Sequence, residues 1–238
     1  MKKSTLEEIE QRFDADVERF SDLNTSQANT IDAVFNLELI TDGIEKIYPD
    51  LGNILDIGCG AGNYSIKTIM KTNSHVNVDL VDLSQNMLDR AKQRVQEYTD
   101  GEVNIFKGDF RSVDLEKGKY DVIIATMVLH HLRDDEDWEK TFGKLFGLLK
   151  VGGSIWILDM VEQNSPEIQK FIYNGRYGDF LTQLKDKTYQ EHVFAYIEKE
   201  DSPRPLVYQL NLLEKVGFTK VDVLHKHLCF ASFIAFRE

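Results

Sequence analysis

Short apolar runs alternate with amphipathic stretches through the middle of the chain. The apolar runs predict strands at residues 53–57, 75–81, 103–106, 120–125 and 154–158. The stretches between them carry apolar residues at helical spacing and predict helices at 62–72, 84–98 and 135–149. Strands that alternate with helices form parallel βαβ units, and uniformly apolar strands are typical of a sheet covered on both faces. The pattern therefore predicts an α/β fold with a Rossmann-like, doubly wound sheet.

The flanking segments predict further helices and a hairpin. Ser4-Thr5-Leu6-Glu7 matches a capping box at the start of a helix. Helices are expected at 4–20, 26–48, around 166–174, 177–198 and 202–217. The last two apolar segments, 220–224 and 228–236, are close enough to pair as an antiparallel hairpin. The sheet should therefore contain seven strands.

We interpret the chain as one domain with four parts. These are an N-terminal helical arm (1–48), an α/β core (50–159), a helical insertion after the fifth strand (160–205), and a closing helix with the hairpin (206–238). In such sheets the loops at the carboxyl ends of the strands form the ligand crevice. The arm and the insertion are therefore expected to cover that crevice.

Composition narrows the classes of partner. The 238 residues include 28 basic and 40 acidic side chains, a net charge of −12 that disfavours nucleic acid and anionic membranes. The chain shows no signal peptide and no apolar run long enough to cross a bilayer. Cys59 and Cys229 are far apart in apolar runs and are expected to be buried thiols. These features predict a cytoplasmic protein, either a monomer or a homodimer.

The strongest chemical motif is Asp56-Ile57-Gly58-Cys59-Gly60-Ala61-Gly62, directly after the first strand. Glycines in a strand-to-helix turn let the backbone approach a ligand closely. Asp82 follows 20 residues beyond Gly62, at the end of the second strand, where a carboxylate can accept from both hydroxyls of a ribose. The dinucleotide fingerprint G-x-G-x-x-G fails in both registers, since Asn63 and Ser65 occupy its sixth position. The acidic turn suits a cationic cofactor better than a pyrophosphate.

Several motifs together resemble the class I S-adenosylmethionine-dependent methyltransferases. They are the D-x-G-x-G-x-G turn, Val81-Asp82-Leu83-Ser84, Gly108-Asp109-Phe110 and Leu149-Lys150-Val151-Gly152-Gly153, with a Gln-Leu-x-x-Leu-x-x-x-Gly-Phe end at 209–218. The resemblance is firm over residues 50–160. It implies that S-adenosylmethionine is the cofactor and that the enzyme transfers a methyl group to a small-molecule acceptor.

The resemblance also implies roles for individual residues. Gly58, Gly60 and Gly62, with Cys59 between them, would pack against the methionine moiety, and Asp56 would lie on its ammonium side. Asp82 would accept from the ribose hydroxyls, and Leu83 would lie against the adenine. Asp109 would accept from the adenine amino group, Phe110 would donate its backbone N–H to the ring, and Thr126 would approach the methionine portion.

The candidate catalytic residues are His130 and His131, which follow the fourth strand. One interpretation is a general base that removes a proton from the acceptor. The other is that both histidines pack the helix start and line the pocket wall. Because adjacent side chains tend to diverge, at most one is expected to be functional. No metal site is predicted, since no acid or histidine cluster in the sequence completes a ligand shell.

The acceptor site is predicted in the insertion, whose candidate substrate residues are Tyr173, Arg176, Tyr177 and His192. One alternative remains within the cofactor class, since the chain is also similar to carboxy-S-adenosylmethionine synthase. That family needs an arginine at the position of Leu212, which weakens this alternative, although Arg176 or Arg204 could replace it. Alternatives of another class are an NAD(P)-dependent oxidoreductase and a non-catalytic cofactor-binding module.

Overall fold

The computed structural model describes residues 3–14, 17–22 and 27–238. Its centre is a seven-stranded sheet in the order β3-β2-β1-β4-β5-β7-β6. Neighbouring strands from β1 to β5 are parallel, whereas β7 runs antiparallel to both β5 and β6. The prediction of a doubly wound sheet closed by an antiparallel hairpin is therefore confirmed. The strands are β1 (Asn53–Ile57), β2 (Asn77–Asp82), β3 (Val103–Lys107), β4 (Tyr120–Thr126), β5 (Leu149–Met160), β6 (Thr219–His227) and β7 (Phe230–Phe236).

Helices cover both faces of the sheet and the carboxyl ends of its strands. They are α1 (Leu6–Asp14), α2 (Val17–Ser21), α3 (Ala33–Ile47), α4 (Asn63–Lys71), α5 (Gln85–Val95), α6 (Asp135–Leu148), α7 (Pro166–Gln169), α8 (Gly178–Leu184), α9 (Lys187–Glu200) and α10 (Leu206–Val216). A 3₁₀ turn at Leu129–His131 follows β4, and a π-helical segment at Lys170–Tyr177 joins α7 to α8. Among the described residues, no helix is both long and apolar enough to cross a membrane.

Alternate side chains of the strands form two apolar cores. On one face, Ile123 and Ile155 pack with Trp138 of α6. On the other face, Ile124 and Trp156 pack with helices that include α3. Burial of both faces explains why the central strands, such as β4, are largely apolar.

Several predicted boundaries were wrong. The helix expected at 26–48 begins at Ala33, because Asp32 has a left-handed backbone with φ of 57° that cannot continue a helix. The predicted helix 4–20 is described as α1 and α2, and residues 15–16 and 23–26 lie outside the described part. The capping box lies one residue later than expected, with Thr5 N–H donating to Glu8 at 2.9 Å. β5 begins at Leu149, before the glycines expected to precede it.

The arm and the insertion are joined directly to each other above the strand ends. Ser4 Oγ donates to Glu200 Oε1 at 2.6 Å, and both residues are buried. Tyr177 Oη donates to the carbonyl of Asn29 at 2.9 Å. Apolar side chains of the insertion, including Tyr177 itself, form a third core with residues of β5 and β7. These contacts hold the two segments together over the crevice.

Candidate active site

A continuous cavity of about 550 Å³ lies at the carboxyl ends of the parallel strands. One end is formed by the turn after β1 and the loops after β2 and β3, and we call it the glycine-turn end. The other is formed by the segment 27–37, the loop after β4 and α9, and we call it the insertion end. Eight of the ten predicted cofactor residues line the cavity: Gly58, Cys59, Gly60, Asp82, Leu83, Asp109, Phe110 and Thr126.

The glycine turn needs two of its glycines for different reasons. Both Gly58 and Gly60 have positive φ angles, 63° and 50°, which L-residues rarely adopt. A Cβ on Gly58 would lie 2.6 Å from a methyl group of Val128, so no side chain fits there. A Cβ on Gly60 would meet no protein atom within 4 Å, because this position opens into the cavity. The backbone at Gly60 is therefore exposed to whatever the cavity binds.

Asp82 is fixed on the cavity wall by the backbone. Its Oδ2 accepts from Gly60 N–H and its Oδ1 from Ser84 N–H, each at 2.9 Å. Ser84 in turn caps α5 by accepting from Met87 N–H at 3.1 Å, as predicted. Burial raises the pKa of Asp82, although these hydrogen bonds oppose that effect. The carboxylate faces a site where a ligand able to donate hydrogen bonds would stabilise its charged form.

Two predicted cofactor residues, Asp56 and Gly62, do not line the cavity. Asp56 is buried beneath the turn, where its Oδ2 accepts from Ser65 Oγ at 2.7 Å. Burial raises the pKa of Asp56 to about 7, with a further contribution from the nearby charge of Asp82. Gly62 begins α4 with a left-handed backbone and packs against α5. Both residues support the turn from behind it, and neither is brought onto the cavity wall with the other predicted cofactor residues.

Asp109 lines the cavity, but Arg111 already engages its carboxylate. Arg111 Nε donates to both carboxylate oxygens, at 2.9 and 2.8 Å. Burial favours the neutral acid, but this ion pair outweighs it and holds the pKa of Asp109 below its usual range. The adenine role predicted for Asp109 would therefore use an oxygen that Arg111 already contacts.

The loop after β4 turns sharply where the two ends of the cavity meet. Met127 has a left-handed backbone with φ of 53°, and its N–H donates to the carbonyl of Leu158 at 2.7 Å. Strained backbone of this kind persists when the surrounding structure enforces it, and it is frequent at functional sites. The turn brings Thr126, Met127 and Val128 onto the cavity wall.

His130 is oriented by a buried carboxylate at the end of β5. His130 Nδ1 lies 2.5 Å from Asp159 Oδ1. Asp159 also accepts from the backbone N–H groups of Leu129, His130 and Met160, at 2.7, 3.1 and 2.7 Å. Burial opposes protonation of His130, but Asp159 and Asp201 outweigh it and raise the pKa of His130 to about 9. With Nδ1 bound to Asp159, the Nε2 atom of His130 is the one turned toward Asp201.

Both histidines, and not one of them, face a common point on the cavity wall. His131 Nδ1 lies 3.2 Å and His130 Nε2 lies 3.9 Å from Asp201 Oδ1. The 3₁₀ turn lets the two rings converge, with centroids 4.3 Å apart. Burial and the neighbouring His130 lower the pKa of His131. Nothing in the sequence indicated that an acid lies beside the two histidines, but their ligand atoms and that of Asp201 lie within 4.8 Å of one another, and we call this group the two-histidine cluster (His130, His131 and Asp201).

The predicted substrate residues divide into two pairs. Tyr177 and His192 line the insertion end of the cavity. Tyr173 is not on the cavity wall but stacks on Phe194 with centroids 4.6 Å apart. Arg176 borders a separate shallow depression on the outside of the insertion. Of the four predicted substrate residues, the structure therefore brings Tyr177 and His192 to the cavity wall, but not Tyr173 or Arg176.

Several residues at the insertion end were not identified from the sequence. Asp159 was detectable in principle, because it is a charged residue directly after the apolar run 155–158 of β5. Asp201 carries no local indication, since it ends α9 and reaches the cavity only through the tertiary fold. Arg133 also lines the cavity and donates to the carbonyl of Glu200 at 2.6 Å.

Comparisons with known proteins agree with this geometry. The family profile described as "Methyltransferase domain" matches residues 54–153. An uncharacterized methyltransferase of Anoxybacillus flavithermus is 30% identical over 152 residues, 62% of this chain and 68% of that protein. A carboxy-S-adenosyl-L-methionine synthase of Nautilia profundicola is 26% identical over 208 residues, 85% of this chain and 84% of that protein.

A solved structure supports the same fold. Human N-acetylserotonin methyltransferase in complex with S-adenosylmethionine matches with a TM-score of 0.62 at 17% identity. The match covers 98% of this chain and 59% of that one, so the present sequence spans less than two thirds of the solved enzyme. The sequence relatives overturn the oxidoreductase alternative, and with the cavity-lining glycine turn they settle the cofactor class. The chain belongs to the class I S-adenosylmethionine-dependent methyltransferases.

Proposed function

We propose that this enzyme methylates a small molecule bound at the insertion end of the cavity, with S-adenosylmethionine bound at the glycine-turn end. The observation that carries the proposal is the continuity of the cavity between the two ends. The residues at the glycine-turn end fit the cofactor, because Gly60 leaves an open cradle and Asp82 presents a carboxylate beside it. When bound there, S-adenosylmethionine supplies a methyl group already activated by its sulfonium.

The size and walls of the insertion end favour a small acceptor. The whole cavity is within the range of roughly 300–1,000 Å³ that is usual for small-molecule sites. Aromatic side chains of the insertion, Tyr177, Tyr189 and Tyr196, line this end, which suits an apolar or planar molecule. The net charge of −12 disfavours a nucleic-acid acceptor. The arm and the insertion would thus act as the acceptor-binding part of the domain.

The protein's own contribution is alignment, exclusion of water and control of one proton. Holding the acceptor against the methyl group makes the transfer effectively unimolecular, and this positioning accounts for a large part of the rate enhancement in such reactions. The arm and the insertion lie over the strand ends, where they would limit the access of water to the reacting atoms. His130, oriented by Asp159, faces the acceptor side, where an acceptor O–H or N–H must lose its proton overall.

The carboxy-S-adenosylmethionine synthase alternative has support from the relative that matches 84% of its length. Against it stands Leu212, at the position where that family carries an arginine, because Leu212 is buried in an apolar core, away from the cavity. Two arginines do line the cavity, but Arg133 donates to the carbonyl of Glu200 and Arg111 to the carboxylate of Asp109. Arg204 pairs with Asp135 outside the cavity, and Arg176 borders the outer depression. Mass spectrometry of the ligand that co-purifies tests this alternative, since carboxy-S-adenosylmethionine differs in mass from S-adenosylmethionine and its demethylated product.

The direct test follows a labelled methyl group. The protein is incubated with methyl-labelled S-adenosylmethionine and a cell extract divided by size into small molecules and macromolecules. We expect label in the small-molecule fraction, and less of it with Asp82→Asn, which removes the negative charge from the cofactor site. Label that appears instead in RNA or protein would contradict the proposal.

A further inference from the structure

Two polar atoms on the wall of the insertion end are buried without a hydrogen-bond partner among the residues that the structure describes. They are Nδ1 of His131 and Oδ1 of Asp201. The two atoms lie 3.2 Å apart but without hydrogen-bond geometry. A buried polar atom that lacks a hydrogen-bond partner destabilises the folded protein. Two of them side by side therefore indicate that a group other than the protein chain completes this site.

His130 contributes a third atom to the same point. Its Nε2 lies 3.9 Å from Asp201 Oδ1, and the donor atoms of all three side chains lie within 4.8 Å of one another. A zinc ion binds imidazole nitrogen and carboxylate oxygen at about 2.0–2.2 Å, so neighbouring ligands around it are roughly 3.3 Å apart. The 3.2 Å distance between His131 Nδ1 and Asp201 Oδ1 already matches this spacing. The 3.9 Å distance between His130 Nε2 and Asp201 Oδ1 would match it after a shift of roughly 0.6 Å.

The surroundings of the cluster are those of a metal-binding histidine. A ligating histidine usually donates its other ring N–H to a carboxylate, which fixes the tautomer and aims the free nitrogen at the ion. Asp159 occupies this position on His130. Asp201 is held in turn, because the adjacent Ser202 N–H donates to the carbonyl of His130 at 2.7 Å. The three ligands are thus positioned by the fold before any ion arrives.

We propose that the two-histidine cluster binds one divalent transition-metal ion through His130 Nε2, His131 Nδ1 and Asp201 Oδ1. Two imidazoles and one carboxylate suit zinc and its neighbours, whereas magnesium prefers oxygen ligands. Three protein ligands leave a coordination position open toward the cavity, as in catalytic zinc sites. Resting on the proposed function, we assign that position to an oxygen atom of the acceptor, whose pKa the ion lowers so that its proton leaves to solvent.

A second group of similar composition provides the contrast. Asp32 Oδ2 lies 2.9 Å from His225 Nε2 and 2.8 Å from His227 Nδ1, at the outer edge of the sheet. Here each of the three atoms that could bind a metal already has a hydrogen-bond partner within the group, and the side chains are partly exposed. It carries no proposal, but it must be removed from any metal titration.

The experiment uses the full chain carrying His225→Ala and His227→Ala, from which bound metal is first removed with a chelator. Zn²⁺ binding is then measured by competition with a chromophoric chelator, and Co²⁺ binding by visible absorption. We expect one equivalent to bind. His131→Ala and Asp201→Asn should each weaken binding by at least about 100-fold, and Asp159→Asn by about 10–100-fold. His192→Ala, which alters another cavity-lining histidine, is the matched control and should bind normally.

Failure of the background protein to bind either ion would overturn the proposal, as would equal binding by Asp201→Asn. The two orphaned atoms would then contact the acceptor directly. Binding of S-adenosylhomocysteine, measured on each variant, shows that the α/β core is folded. Methyl transfer at the full rate after chelation would also overturn the metal proposal while leaving the proposed function intact. Normal zinc binding with label only in macromolecules would instead overturn the proposed function.

Discussion

The two ends of the cavity are built in different ways. The glycine-turn end comes from successive strand–loop units between residues 58 and 111, and much of it is backbone. The insertion end comes from the arm, the loop after β4 and the end of α9, which are far apart in sequence and meet through side chains. A local sequence motif can specify the first kind of site but not the second. This difference explains why the cofactor is identified by sequence and the acceptor is not.

The first prediction, which has the largest expected effect on cofactor affinity, tests whether the glycine-turn end depends on open backbone. Gly60→Ala adds a methyl group that meets no protein atom but projects into the cavity. We expect S-adenosylhomocysteine affinity to fall by about 100-fold or more, equivalent to about 2.7 kcal/mol, with the fold intact. Isothermal titration calorimetry measures this directly.

A matched control distinguishes two causes of lost affinity, a methyl group that occupies the cofactor's space and strain in the backbone. Gly118 also has a positive φ, 65°, and a Cβ at this position would likewise meet no atom within 4 Å, but Gly118 lies in a turn away from the cavity. Gly118→Ala should therefore lose a similar, small amount of stability and bind the cofactor normally. Equal loss of affinity in both variants would show that strain, and not occupied space, is the cause.

The second prediction concerns the buried support beneath the turn. Asp56 has a pKa of about 7 in the folded protein against 3.8 for the ordinary group. Between these values the folded state retains a proton that the unfolded chain releases, so the free energy of unfolding falls as the pH rises. Asp56→Asn removes this penalty and should stabilise the cofactor-free protein, relative to the parent, by about 2–4 kcal/mol more at pH 8 than at pH 4.

Urea unfolding at both pH values measures the effect. Asp50→Asn, which changes an exposed carboxylate in a turn, should show no such dependence on pH. If the free energies of unfolding of Asp56→Asn and the parent differ by the same amount at both pH values, burial does not raise the pKa of Asp56 and the prediction is wrong.

The smallest expected effect is at the insertion end. Ser4→Ala removes the hydroxyl that donates to the buried carboxylate of Glu200, and should lower the free energy of unfolding by about 1–2 kcal/mol. Hydrogen exchange in α9 should accelerate, while S-adenosylhomocysteine affinity stays unchanged. The neighbouring Thr5→Ala weakens only an exposed helix cap and should leave exchange in α9 unchanged. A loss of cofactor affinity in Ser4→Ala would show that the two ends are not independent.

Much of the fold followed from the sequence because its determinants are periodic or local. Buried strands such as Tyr120–Thr126 are largely apolar, and Ser84 caps α5 through a residue three positions away. Errors arose where a distant partner replaced the local one. Ser4 does not serve as the expected cap, because it bonds to Glu200. Asp32 interrupts the predicted helix in a conformation supported by His225 and His227, nearly 200 residues away.

The candidate site shows the same limit. Gly58, Gly60 and Asp82 were placed correctly on the cavity wall because one strand–turn–helix unit and the next strand position them. The two-histidine cluster was missed because Asp201 approaches His131 only after the insertion folds back over the sheet. Arg176 was misplaced because helical spacing does not specify which face of a helix meets the cavity.

The contact between Gly58 and Val128 fixes the distance between the turn after β1 and the loop after β4. The cofactor turn and the loop that carries both histidines meet at a spacing too small for even one added carbon atom. Under the proposed function, the packing of Gly58 on Val128 would set the distance between the methyl donor and the acceptor, while the walls around the acceptor would come from separate segments. To change the acceptor, one would therefore alter the side chains of α9 and of the arm and leave the contact between Gly58 and Val128 unchanged.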